Sequence, residues 1–161
     1  MTHNTIIKSA GGLRAALDEL FEQEHELATL YQGVCDLLNQ RLKTYSWVGI
    51  YLLEGDELVL AAWQGPAPTE HVRIPNGEGI CGYAASHNES VIIEDVSQDP
   101  RYLQCFLGTR SEIVVPISSG ETVYGEIDVD GDEIGAFTEQ DDQLLREIAG
   151  RLAEQISASR R

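Results

Sequence analysis

The hydrophobic period of this chain changes twice along its length, and that switching restricts its fold more than any other feature. From Leu13 to Leu42 the residues Leu13, Leu17, Leu20, Leu27, Leu30, Tyr31, Val34, Leu37, Leu38 and Leu42 recur every three or four positions with acids between them, predicting one or two amphipathic helices within residues 10–43. Between residues 45 and 135 the pattern shortens to strands. Trp47-Val-Gly-Ile-Tyr-Leu-Leu53 and Glu57-Leu-Val-Leu-Ala-Ala-Trp-Gln64 flank a Gly-containing turn, and Glu112–Ile117 and Val123–Asp130 flank Ser118-Ser-Gly-Glu-Thr122. Val72-Arg-Ile74 and Val91-Ile-Ile93 read as short strands, and Ile80–His87 as a short helix. Helical spacing returns after Thr138-Glu-Gln-Asp141, a capping-box-like start, with Leu144, Leu145, Ile148, Leu152 and Ile156 predicting a helix over residues 138–157. The expected class is therefore α+β: a central antiparallel sheet of about six strands, with N- and C-terminal helices on one face and a loop-roofed pocket on the other.

The 161 residues, 42% of them hydrophobic, suffice for one core and are expected to form one domain over 1–161. A formal charge of −16, from 27 acids and 11 bases, argues against nucleic acid and anionic membranes as partners. The first eight residues contain no apolar signal-peptide core, and no apolar run approaches roughly 20 residues, so the expected compartment is the cytoplasm. Cys35, Cys81 and Cys105 are too few and too scattered for a secreted disulfide framework, and none forms a CxxC pair. The four histidines show no ligand spacing, so no metal is expected.

Several local patterns carry chemical content. Gly77-Glu-Gly79-Ile-Cys-Gly82 matches G-x-G-x-x-G, but its strand is short and Glu78 would oppose a phosphate, so it reads as a tight loop placing Cys81 on the first turn of a helix. A helix N-terminus is expected to lower that thiol's pKa. Asp128-Val-Asp130-Gly-Asp132 and Glu139 imitate a calcium loop, yet Glu133 stands where the turn needs Gly and the preceding residues alternate like a strand. As strand residues, Asp128 and Asp130 share a face. A three-residue loop at 119–121 would set Glu112 opposite Asp128, so that three carboxylates converge; solvated strand ends are the alternative. Cys105 lies in a polar loop seven residues before Glu112, while Cys35 sits on the apolar stripe of a helix as an inert thiol.

Ser46-Trp-Val-Gly-Ile-Tyr-Leu-Leu53, Val72–Gly82, Ile93-Glu-Asp-Val96, Cys105, Ser111-Glu-Ile-Val-Val-Pro116 and Gly125-Glu-Ile-Asp-Val-Asp130 together resemble the free methionine-(R)-sulfoxide reductases, stand-alone GAF-domain enzymes. The resemblance implies a thiol-dependent reduction of free L-methionine-(R)-sulfoxide to methionine, through a sulfenic acid and a disulfide. It assigns Cys105 as nucleophile, Cys81 as resolving thiol, and Glu112, Asp128 and Asp130 as substrate-holding groups, with Trp47 and Tyr51 lining the pocket. No cofactor is implied beyond an external reductant, thioredoxin or a small thiol. A homodimer through the N-terminal helix also follows by analogy. Where the family usually carries another recycling cysteine, just before the Arg-Ile-Pro segment, this chain has His71. Three outcomes remain open: Cys81 substitutes for it, a small thiol reduces the sulfenic acid directly, or turnover has been lost. The alternative function is a non-catalytic GAF module binding a small cationic or zwitterionic molecule.

Overall fold

A computed structural model of the chain describes residues 3–103 and 108–161, with side chains from residue 12 onward. Two helices open it, α1 (His3–Gln23) and α2 (Leu27–Arg41). Strands β1 (Trp47–Glu54), β2 (Glu57–Gln64) and β3 (Arg73–Pro75) follow, then helix α3 (Gly79–His87) and strand β4 (Val91–Ile93). A 3-10 turn at Val96–Gln98 precedes β5 (Ser111–Ser119), β6 (Thr122–Gly131) and the long helix α4 (Glu139–Ser159). The strands form one sheet in the order β3-β2-β1-β6-β5-β4, every neighbouring pair antiparallel.

This is the architecture expected from the changes in hydrophobic period. Leu13, Leu17 and Phe21 of α1, Leu30, Val34 and Leu38 of α2, and Leu145, Leu152 and Ile156 of α4 pack in one core with Val48, Ile50, Ile113, Val115, Ile127 and Val129 of the sheet. Alternate residues of the same strands face the other way, into a second apolar cluster that includes Trp47, Tyr51, Val114 and the α3 residues Ile80, Cys81 and Ala84. Helix α4 begins at the expected capping box. The Thr138 hydroxyl accepts from the Gln140 amide at 3.3 Å, and the Asp141 carboxylate accepts from the Thr138 amide at 2.9 Å. Helix α3 ends at Asn88, which adopts the left-handed conformation that Asn tolerates. No described helix is long and apolar enough to cross a membrane.

Candidate functional site

The second face of the sheet carries the site, and β6 is its spine. Glu126, Asp128 and Asp130 alternate with Ile127 and Val129, so the acids point away from the helical core while the aliphatic residues point into it. Across β1, Tyr51 pairs with Glu126, Gly49 with Asp128 and Trp47 with Asp130. Across β5, Pro116 pairs with Glu126, Val114 with Asp128 and Glu112 with Asp130.

That last pair corrects the expected register, in which Glu112 opposed Asp128. The hairpin turn is two residues, with Ser119 opposite Thr122, and β6 has one extra residue at Tyr124, where pairing shifts from Ser118–Val123 to Ile117–Gly125. Continued without this bulge, the turn would set Glu112 against Val129 and send the acid to the wrong face. The bulge restores the parity, and Glu112 meets Asp130.

All four carboxylates are buried: Glu112, Glu126, Asp128 and Asp130 are each no more than 4% exposed. Among the described residues no ion pair reaches Glu126, Asp128 or Asp130. Burial pushes Glu126 well above the usual carboxylate range, opposed by a contact from the Cys81 thiol. Asp128 is raised by burial, then by the charges of Asp130 and Glu126. Asp130 is raised by burial to about 6, while hydrogen bonds with Glu112 and Thr109 act to lower it. Each of these shifts favours the protonated carboxyl over the carboxylate, so the face is suited to donating a proton as well as to attracting a cation.

Cys81 stands on the first turn of α3, as the sequence indicated, but its ionisation is the reverse of that expected. Burial raises the thiol pKa well above its ordinary value, and Asp128, Glu126 and Glu112 add to the shift. Desolvation and three nearby acids outweigh any benefit of the helix N-terminus. Ligating atoms of Cys81, Glu112 and Asp128 lie within 4.8 Å of one another. Of the glycines around it, Gly77 adopts a left-handed φ of 92°, and a side chain on Gly82 would come within 2.8 Å of the Gly77 backbone.

Two cavities adjoin the acids. The larger, about 270 Å³, is lined by Trp47, Pro66, Thr109 and Asp130, among others. The smaller, about 20 Å³, lies among Tyr51, His71, Ile80, Cys81, Glu112 and Asp128. Trp47 and Tyr51 thus share a face, as expected, but border different cavities. Trp47 stacks on Trp63 with ring centroids 6.4 Å apart and planes at 12°. The Tyr51 hydroxyl donates to the His71 carbonyl at 2.7 Å. Of the paired acids, Asp130 lines the larger cavity and Glu112 the smaller. Cys105 lies outside the described residues; Leu103 borders the smaller cavity and Gly108 the larger. Cys35 is fully buried in the helical core, where burial drives its pKa up.

Comparison with known proteins converges on one family. The sequence profile of the GAF domain matches residues 24–157. A free methionine-R-sulfoxide reductase of Escherichia coli (strain K12) is 38% identical over 133 residues, covering 83% of this chain and 79% of that protein. The chain belongs to the free methionine-R-sulfoxide reductase family of GAF-domain proteins. Solved members of that family share its architecture. The Neisseria meningitidis enzyme, determined in complex with its substrate, superposes with a TM-score of 0.84 at 34% identity, covering 95% of this chain and 92% of that one. The type II free methionine-R-sulfoxide reductase from Thermoplasma acidophilum is 39% identical, with a TM-score of 0.78 over 85% of this chain and 94% of its own. Within this GAF fold, Glu126 is the site residue that sequence reasoning missed. The alternation that joined Asp128 to Asp130 extends one step back to Glu126, and Tyr51 lies directly across from it.

Proposed function

We propose that this protein reduces free L-methionine-(R)-sulfoxide to L-methionine, with Cys105 as the nucleophile. The observation that carries the proposal is the buried carboxylate face beside an aromatic wall and a thiol, in a chain whose family relatives are reductases of this substrate. A free amino acid differs from a protein-bound one in its ammonium group. Desolvated carboxylates favour that charge. Asp130, Asp128 and Glu112 hold the ammonium in this reading, and Trp47 packs against the methyl-sulfur end. Tyr51 lines the inner end and is held there by His71.

In the first step the Cys105 sulfur attacks the sulfoxide sulfur while a protonated carboxyl of this face lends one proton to the sulfoxide oxygen. Methionine leaves and Cys105 becomes a sulfenic acid. The sulfoxide S–O bond breaks as the oxygen passes to the Cys105 sulfur carrying that one proton, and the proton released by the Cys105 thiol returns the carboxyl to its protonated form. In the second step the Cys81 thiol displaces the hydroxyl from Cys105, giving a Cys81–Cys105 disulfide and water. An external dithiol, thioredoxin, or a small thiol then returns both cysteines to the reduced state, itself becoming oxidised. The high pKa of Cys81 makes this the demanding step, since its proton must leave as its sulfur attacks. A homodimer through the N-terminal helix would have to use the side opposite Leu13, Leu17 and Phe21, which this chain's own core already covers.

The test is incubation with each methionine sulfoxide epimer and dithiothreitol. Methionine should form from the free R epimer. Cys105→Ser should abolish its formation, whereas Cys35→Ser should leave it nearly unchanged. With thioredoxin as reductant, Cys81→Ser should slow turnover and leave a sulfenic acid trappable at Cys105. Tight binding of the R epimer with no methionine produced would support a binding module instead.

A further inference from the structure

The small cavity brings together ligand types that an ammonium group does not need. We infer that Cys81, Glu112 and Asp128, with Glu126 beside them, form a binding site for a single divalent metal ion of the zinc class. One sulfur and two carboxylate oxygens, from α3, β5 and β6, lie mutually within 4.8 Å, and all three residues are buried. Zinc bonds of about 2.0–2.3 Å place two ligands on the same ion up to roughly 4 Å apart, so small side-chain rotations close the set. The cavity among them, about 20 Å³, suits one ion rather than a hydrated cluster.

A second observation points to a ligand there. Glu126 is fully buried, and among the described residues neither of its carboxylate oxygens has a hydrogen-bonding partner apart from the Cys81 thiol. One oxygen of Asp128 is likewise unpartnered. Buried oxygens of this kind are costly unless something binds them, and a cation in contact with Cys81 would lie within reach of both residues. Glu126 contacts Cys81 but lies outside the 4.8 Å set, and would have to turn toward the ion to supply a fourth ligand.

The donor chemistry selects the metal. A thiolate among the ligands favours zinc, cobalt and their neighbours over magnesium and calcium, which prefer oxygen and retained water. Binding displaces the Cys81 thiol proton and any proton held by Glu126 or Asp128, so apparent affinity rises with pH. No redox change is involved: the metal stays divalent and the sulfur stays a thiolate. The inference does not rest on the reductase reading but competes with it for residues: an ion held here would occupy Glu112 and Asp128 and withdraw Cys81 from any disulfide, so bound metal should inhibit turnover.

The reduced full-length chain, freed of metal by a chelator that is then removed, is titrated anaerobically with Co²⁺. One equivalent should saturate a thiolate-to-cobalt charge-transfer band, which Zn²⁺ then bleaches. Cys81→Ser should remove the band, while Cys105→Ser and Cys35→Ala keep it. Glu126→Gln should weaken Co²⁺ binding by about tenfold or more, the scale on which a supporting ligand matters. Should Cys81→Ser fail to fold, alkylation of the parent protein, mapped by mass spectrometry, decides the matter: Zn²⁺ should protect Cys81 from modification. The inference is overturned if no band appears, if the band follows Cys105 or survives in folded Cys81→Ser, or if Zn²⁺ leaves Cys81 alkylation unchanged.

Discussion

Replacing Asp130 with asparagine should stabilise the fold at neutral pH while weakening the site. Asp130 is 2% exposed in the middle of the sheet, and burial raises its carboxyl from 3.8 to about 6 against the hydrogen bonds that act to lower it. Each pKa unit corresponds to about 1.4 kcal/mol, so keeping this group ionised in the native state costs about 3 kcal/mol relative to the unfolded chain. Between about pH 4 and pH 6 the native protein binds a proton that the unfolded chain has released. Stability contributed through this group is therefore complete at lower pH and lost as pH rises through that window. Asparagine has nearly the same shape and cannot ionise. Its advantage over the parent should be near zero at about pH 4 and about 3 kcal/mol at about pH 7.5. Relief of Asp128, whose carboxyl the Asp130 charge raises, works in the same direction. Urea unfolding of metal-free protein at three pH values measures this directly. For a domain of this size the gain corresponds to roughly 6–12 °C in Tm. Under the proposed function, KM for the sulfoxide should rise by about tenfold or more, equivalent to about 1.4 kcal/mol of lost binding. An equal stability change at about pH 4 and 7.5 would refute the electrostatic origin, and destabilisation at the higher pH would refute the dominance of burial.

Gly49→Ala should disturb the larger cavity from beneath, because its Cβ would lie 2.3 Å from the Trp47 ring and force the indole to shift. A loss of about 1–3 kcal/mol is expected from such overpacking, read as a lower Tm, together with a higher KM for the sulfoxide. Tyr45→Phe probes the opposite side of the molecule. It removes the 2.7 Å hydrogen bond donated to Asp141, the residue that also caps α4, and should cost about 2 kcal/mol by urea unfolding with kcat/KM at 25 °C unchanged. A change in kcat/KM without a change in stability would show that α4 communicates with the acid face.

The helices and strands were legible because their periodicities are long and unambiguous. The capping box at Thr138 and the amphipathic stripes of α1, α2 and α4 leave little freedom in how they pack. The register of the central hairpin was not legible. Ser118-Ser-Gly-Glu-Thr122 accommodates a loop of two or three residues, and no hydrophobic pattern marks Tyr124 as the extra residue. Cys81 shows a related difficulty: its helix position was readable, but its pKa depends on acids more than 30 residues away in the chain. Trp47 and Tyr51 share a face as their spacing demands, yet four strand residues span about 13 Å, which is why they serve different cavities.

The same strand that limits sequence reading also explains why the site tolerates its own charge. Ile127 and Val129 lock β6 against the helices, while Glu126, Asp128 and Asp130 occupy the opposite face. A slip of one residue would drive three carboxyl groups into the apolar core and expose both aliphatic residues to the acid face. Two local features oppose it. The bulge at Tyr124 sets the parity with β5, and Gly125 allows an approach to β1 so close that a side chain would fall 2.0 Å from the Tyr51 carbonyl oxygen. Both features lie next to Glu126, at the end of the strand away from the larger cavity. The register is fixed where the backbone is tightest, and this leaves the acids at Asp128 and Asp130 free to be selected for chemistry rather than for folding.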